Sequence, residues 1–86
     1  MAASQNVTFL SVLPLQVRAA RALLDWTRDQ LAETSGVPLR TVVRFEQGEG
    51  SPQRRTVTAL RTTLEAVGVE FLDGGAPGVR LRENAP

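Results

Sequence analysis

The sequence predicts a mainly α fold: four short helices, a C-terminal β-hairpin and a short N-terminal strand. Three observations carry this reading. Apolar residues recur at helical spacing in four stretches between residues 14 and 68, with Gly or Pro marking most of their ends. The two middle stretches, "RDQLAETS" and "LRTVVRFE", are separated only by "GVP". After Gly68 the period switches from helical to alternating, the pattern of strands. Residues 1–13 then form an N-terminal strand or arm, 14–68 the helical domain and 69–83 the hairpin.

Each element has its own local reason. "NVTFLSVL" (6–13) is β-branched and aromatic, and it ends at Pro14. Pro14 suits the first turn of a helix, where its missing N–H costs nothing. In "PLQVRAARALLDW" the buried stripe is expected at Val17, Ala20, Leu23 and Leu24. Thr27 with Gln30 fits a reciprocal cap for the second helix, whose Leu31, Ala32 and Ser35 face inward before Gly36 ends it. Pro38 starts the third helix, Val42 and Phe45 point inward, and Gly48 stops it. "EGSPQRR" (49–55) reads as a loop. Thr56 is the expected cap of the fourth helix, with Val57, Leu60, Leu64 and Val67 as its stripe and Gly68 as its stop. Residues 69–73 and 78–83 pair around "GGAPG", with Glu70 opposite Arg80.

Composition narrows the function. A chain of 86 residues is one domain with a modest core. No apolar run approaches the length that spans a bilayer, and the start lacks a basic stretch leading into an apolar one, so a cytoplasmic protein is expected. There is no Cys and no His. Disulfides, thiol chemistry, the commonest metal ligands and the usual general base are thereby absent. No carboxylate pair stands at a convincing catalytic spacing either. The expectation is a binding protein, not an enzyme, with no cofactor and no metal.

All ten basic residues are Arg. Eight of them fall between Arg18 and Arg61 against five acids, a local charge of +3; from Thr62 onward two Arg face four acids, giving −2. An anionic partner would meet the middle of the chain, unless these arginines only solvate the surface.

Two short helices joined by a Gly-containing turn make a helix-turn-helix. "LAETSGVPLRTVVRFEQG" resembles the Cro/lambda-repressor-like helix-turn-helix family, also called the XRE family. The residues that carry the resemblance are Leu31 and Ala32, then Gly36 and Val37, then Val42 and Phe45, and the ending Glu46-Gln47-Gly48. "ARALLDWT" before the motif and "LEAVGVEFL" after it extend the likeness to residues 15–72. The packing logic agrees: Ala32 is small where the third helix crosses, and Val42 and Phe45 seat that helix. Its other face is then left free for a DNA major groove.

The resemblance implies a four-helix lambda-repressor-like domain and a set of roles. Base reading falls on Pro38, Leu39, Arg40, Val43 and Arg44. Arg40 and Arg44 can each offer two donors to guanine, or meet phosphate or solvent instead. Leu39 departs from the polar residues common at its place; it can meet a thymine methyl or another protein. Phosphate contacts fall on Thr27, Arg28, Thr41, Arg54 and Arg55, with Arg18 a weaker candidate. Arg21 and Glu46 match a structural ion pair that orients the third helix, and Trp26 is expected in the core. The expected function is a sequence-specific, double-stranded-DNA-binding transcriptional regulator, bacterial or phage, acting as a homodimer on a pseudo-palindromic operator. The rival is a protein-interaction module, such as an antitoxin or antiactivator, that grips a partner protein. The apolar residues of "NVTFLSVL" offer a third strand to the hairpin, donated within one chain or across a two-fold axis.

Overall fold

Val17, Ala20, Leu31, Val42, Phe45, Leu60 and Leu64 come from four different helices and meet in one core. The structure, a computed structural model, describes residues 12–73 and 75–83. The elements are α1 (Pro14–Leu24), α2 (Arg28–Ser35), α3 (Leu39–Glu46), α4 (Arg54–Ala66), β1 (Val69–Leu72) and β2 (Gly78–Leu81). The strand expected over 6–13 lies, apart from Val12 and Leu13, outside the described residues. Among the described residues, no helix is long and apolar enough to cross a membrane.

Local signals account for most boundaries. Pro14 opens α1. Thr27 Oγ1 accepts from the Gln30 N–H at 3.0 Å and Gln30 Oε1 accepts from the Thr27 N–H at 2.7 Å, closing the reciprocal cap of α2. α1 ends on Asp25 in the left-handed region (φ 58°), a conformation that Asp tolerates better than most residues. Pro38 lies just outside α3 as its N-cap, accepting from the Thr41 and Val42 N–H groups at 2.9 and 3.0 Å.

β1 and β2 are antiparallel, with Val69 opposite Leu81, Glu70 opposite Arg80, Phe71 opposite Val79 and Leu72 opposite Gly78. The strands are shorter than the expected 69–73 and 78–83. Val69 and Phe71 are buried against α4, and Val79 is packed on the same core. Glu70 and Arg80 form the cross-strand ion pair.

Two expectations need correction. The buried face of α1 is Gln16, Val17 and Ala20, whereas Leu23 is 45% exposed. The hairpin packs on α1 at Gln16, two turns before Leu23 on the same face, and Gln16 is at home there because every polar atom of its amide is engaged. Its Oε1 accepts from the Leu13 N–H at 2.9 Å, and its Nε2 donates to Leu72 O and Gly78 O, each at 3.0 Å. The second correction concerns α4, which begins at Arg54 with Gln53 as N-cap, not at Thr56. The Val57 N–H already bonds Gln53 O at 3.1 Å, so the backbone starts the helix without a side-chain cap. Arg54 and Arg55 therefore stand in the first turn of a helix and not in a loop.

Gln16→Leu keeps the bulk but strands the Leu13 N–H and removes a donor from two strand carbonyls. It should cost about 1–3 kcal/mol. Urea unfolding gives the cost, and amide exchange at residues 69–72 and 78–81 should accelerate more than in α2 and α3.

Candidate nucleic-acid interface

The turn between α2 and α3 spans Gly36 to Pro38. Gly36 takes φ 79° and returns its N–H to Ala32 O at 2.9 Å, a left-handed closure that suits glycine. Ser35, expected simply to face inward, accepts the Val37 N–H on its Oγ at 3.1 Å. Val37 is buried, which pins the turn to the core.

So held, α3 buries Val42, Phe45 and Glu46. Pro38, Leu39, Arg40 and Arg44 are exposed, and Thr41 and Val43 are half-buried at the border of that face. Leu39 is 44% exposed at the very start of the helix. All five residues expected to read bases thus lie on or beside one outer surface of α3.

Glu46 occupies a place in the inward stripe of α3 where an apolar residue would ordinarily stand. Its side chain has no solvent exposure. Arg21 grips it at both ends of one edge, Nε to Oε2 at 2.7 Å and Nη2 to Oε1 at 2.9 Å, and Arg28 Nε donates to Oε1 at 3.0 Å. Arg21 Nη1 also donates to Trp26 O at 3.0 Å. Burial works to raise the Glu46 pKa. Hydrogen bonds from Arg21 and Arg28, and then their positive charges, outweigh it and hold the carboxyl below the usual glutamate range. Arg28 is the partner that sequence reasoning missed. A signal existed, since an acid on an apolar stripe requires compensating cations, but nothing in the spacing marks a residue on another helix as the second one.

The remaining cations form a rim. Arg40 is exposed and makes no ion pair or side-chain hydrogen bond among the described residues. Arg44 leans towards the loop after α3, 3.8 Å from Glu49 with both side chains more than half exposed. Such a pair is worth little and yields readily. Gly50 leaves the room for it, as a side chain there would begin 3.0 Å from Arg44 Nη2. Arg54 and Arg55 are exposed at the start of α4, where no acid stands in the first turn. A groove of about 610 Å³ runs between the α2–α3 turn, α3 and the start of α4, lined in part by Thr41, Arg44, Arg55 and Thr56. Thr27 and Arg28 mark the start of α2, and Arg18 is exposed on α1.

The arrangement of α2, turn and α3 is what the helix-turn-helix family model matches, over residues 17–72, more than half of the chain. The chain belongs to the Cro/C1-type helix-turn-helix family. Comparison with curated proteins returns no match. As a member of this family the chain carries a DNA-binding helix-turn-helix domain of the regulator type, and the family is not an enzymatic one.

The helix-turn-helix core should depend on the Glu46 carboxylate. Glu46→Ala leaves two guanidinium groups facing each other and should cost about 3–5 kcal/mol, read by urea denaturation. The folded pKa is depressed, so the stabilisation is complete above the unfolded value, about 4.3, and is lost as pH falls through the lower folded value. The wild type should therefore lose stability as pH falls between those two values, and Glu46→Gln, weaker at neutral pH, should lose less of its stability over the same window.

Proposed function

We propose that this protein is a sequence-specific regulator of transcription that binds double-stranded DNA, with α3 reading the major groove. The observation that carries the reading is the outer face of α3. Two exposed arginines one helical turn apart, Arg40 and Arg44, stand on it with no buried task, and Arg28, Arg54 and Arg55 begin the neighbouring helices α2 and α4. Bidentate donors in the middle suit guanine edges, and flanking cations suit the phosphates that fix register. Thr27, Thr41 and the first N–H groups of α2 add uncharged phosphate donors. Pro38, Leu39 and Val43 supply apolar contact for thymine methyl groups. The setting we infer is the cytoplasm of a bacterium, or of one infected by a phage.

A single domain of this size makes few base contacts, and two copies on a pseudo-palindrome double them. We infer a homodimer that uses the hairpin. Arg82 N–H bonds Gly68 O at 2.8 Å, so the even-numbered residues of β1 exchange hydrogen bonds with β2. The backbone groups of Val69, Phe71, Val79 and Leu81 then point away from the partner strand. These edges can accept a further strand, and "VTFLSVL" has the composition of one.

A selection from randomised duplexes should enrich one pseudo-palindromic site. Arg40→Ala and Arg44→Ala should each weaken that site by about 1–3 kcal/mol in anisotropy titrations, without loss of helical circular dichroism. Full affinity and unchanged preference in both variants would sink this reading face.

A further inference from the structure

Arg28 is placed differently from the other cations of the rim. Its Nε–H is committed to Glu46 Oε1 at 3.0 Å, while Arg21 holds the same carboxylate from the other side. Two guanidinium groups share one carboxylate, so the cluster keeps a net charge of +1. Arg21 cannot present that surplus outward. Its side chain is 18% exposed and its third nitrogen is bound to Trp26 O. The surplus falls on the terminal amino groups of Arg28, which make no hydrogen bond among the described residues and belong to a side chain 41% exposed. A guanidinium is flat and rigid, so fixing its Nε also fixes the direction of its outer fork. Arg28 is itself the first residue of α2, whose leading N–H groups precede the first helical bond, Leu31 N–H to Thr27 O.

We infer that Arg28 is a positioning residue that couples a DNA phosphate to the seat of α3. Its outer fork takes the phosphate, and its Nε simultaneously holds Glu46 at the end of the recognition helix. The inference rests on the DNA reading above and goes beyond it. Contacts to phosphate ordinarily carry no sequence information. Here the contact and the orientation of α3 share one rigid group, so a duplex that displaces α3 also displaces the phosphate contact, and the backbone contact contributes to discrimination.

The test separates charge from placement. The selected operator and a scrambled duplex of equal length are titrated by anisotropy over a range of salt concentrations with wild type, Arg28→Lys, Arg28→Gln and Arg55→Ala, with thermal melts to confirm folding. Arg28→Lys keeps the charge but is a single point on a flexible stem. It should keep the wild-type salt slope while its preference for operator over scrambled duplex falls about tenfold, within the range for members of one ion-pair network. Arg28→Gln keeps a donor for Glu46 and gives up the charge, so its salt slope should fall by about one with more of the preference retained than in the Lys variant. Arg55→Ala should weaken both duplexes alike. In a double-mutant cycle, Arg28→Lys and Arg40→Ala should be non-additive although no hydrogen bond or ion pair joins the two side chains. A wild type that prefers the operator, with an Arg28→Lys variant that keeps the full preference or is additive with Arg40→Ala, overturns this inference alone. A wild type that distinguishes no duplex from any other overturns the DNA reading, and this inference with it.

Discussion

A carboxylate without solvent must be neutralised where it stands, and the arrangement of three helices around Glu46 follows from that. Desolvating Glu46 in isolation would be prohibitive. Arg21 from α1 and Arg28 from α2 therefore have to arrive at the end of α3 together, with hydrogen-bonding geometry. Apolar packing of Val42 and Phe45 can tolerate small slides of α3, because dispersion contacts are many and non-directional. Charge-assisted hydrogen bonds cannot, because they weaken steeply with angle. The core holds α3 in place, and the ion cluster sets its rotation. Rotation decides which side chains face outward, and under the proposed reading of base edges that is the functional variable.

Much of the fold was legible because the signals that define it are local. Pro14, the Thr27–Gln30 cap, Gly36 and Gly48 mark helix ends through their own backbone preferences, and each acts within a few residues of where it stands. The alternation after Gly68 identified the hairpin and its Glu70–Arg80 pair for the same reason. What escaped was decided at a distance. Gln16 and Leu23 share one face of α1, two turns apart, and a hairpin more than fifty residues away covers the end that carries Gln16, with carbonyls that its amide satisfies. Thr56 is the better cap by type, yet the chain leaving Pro52 is already helical at Arg54. The expected base-reading and phosphate-contacting roles came from the family pattern; the structure adds that most of those side chains are exposed, that Thr41 and Val43 are half-buried, and that Arg28 is engaged with Glu46.

The distribution of charge repeats this division. The arginines that are spent, Arg21 and Arg61, are mostly covered, at 18% and 14% exposure, and lie on the inner sides of α1 and α4. Arg61 bonds Glu65, approaches Asp73 and stacks 5.2 Å from the Phe71 ring centre, which fastens the hairpin to α4. Of the exposed cations, Arg40, Arg44, Arg54 and Arg55 stand on α3 and the start of α4, Arg18 on α1, and Arg80 and Arg82 on the hairpin. A net charge of +1 thus conceals two populations, one used in holding the fold and one turned outward.

Trp26 stands at the joint between α1 and α2, half-buried on the core, its backbone N–H donating to Arg21 O at 2.9 Å and its backbone carbonyl accepting from Arg21 Nη1. It is the only Trp, and the chain has no Tyr. Excitation of the native protein in the near ultraviolet therefore addresses one indole, carried by a residue whose backbone carbonyl is bonded to the guanidinium that grips Glu46. The emission of Trp26 thus reports from the joint that holds Arg21, needing no attached dye and no engineered residue. An anion that settles on Arg28 acts on that joint through Glu46 and Arg21, whereas one that settles on Arg54 or Arg55 does so from another helix.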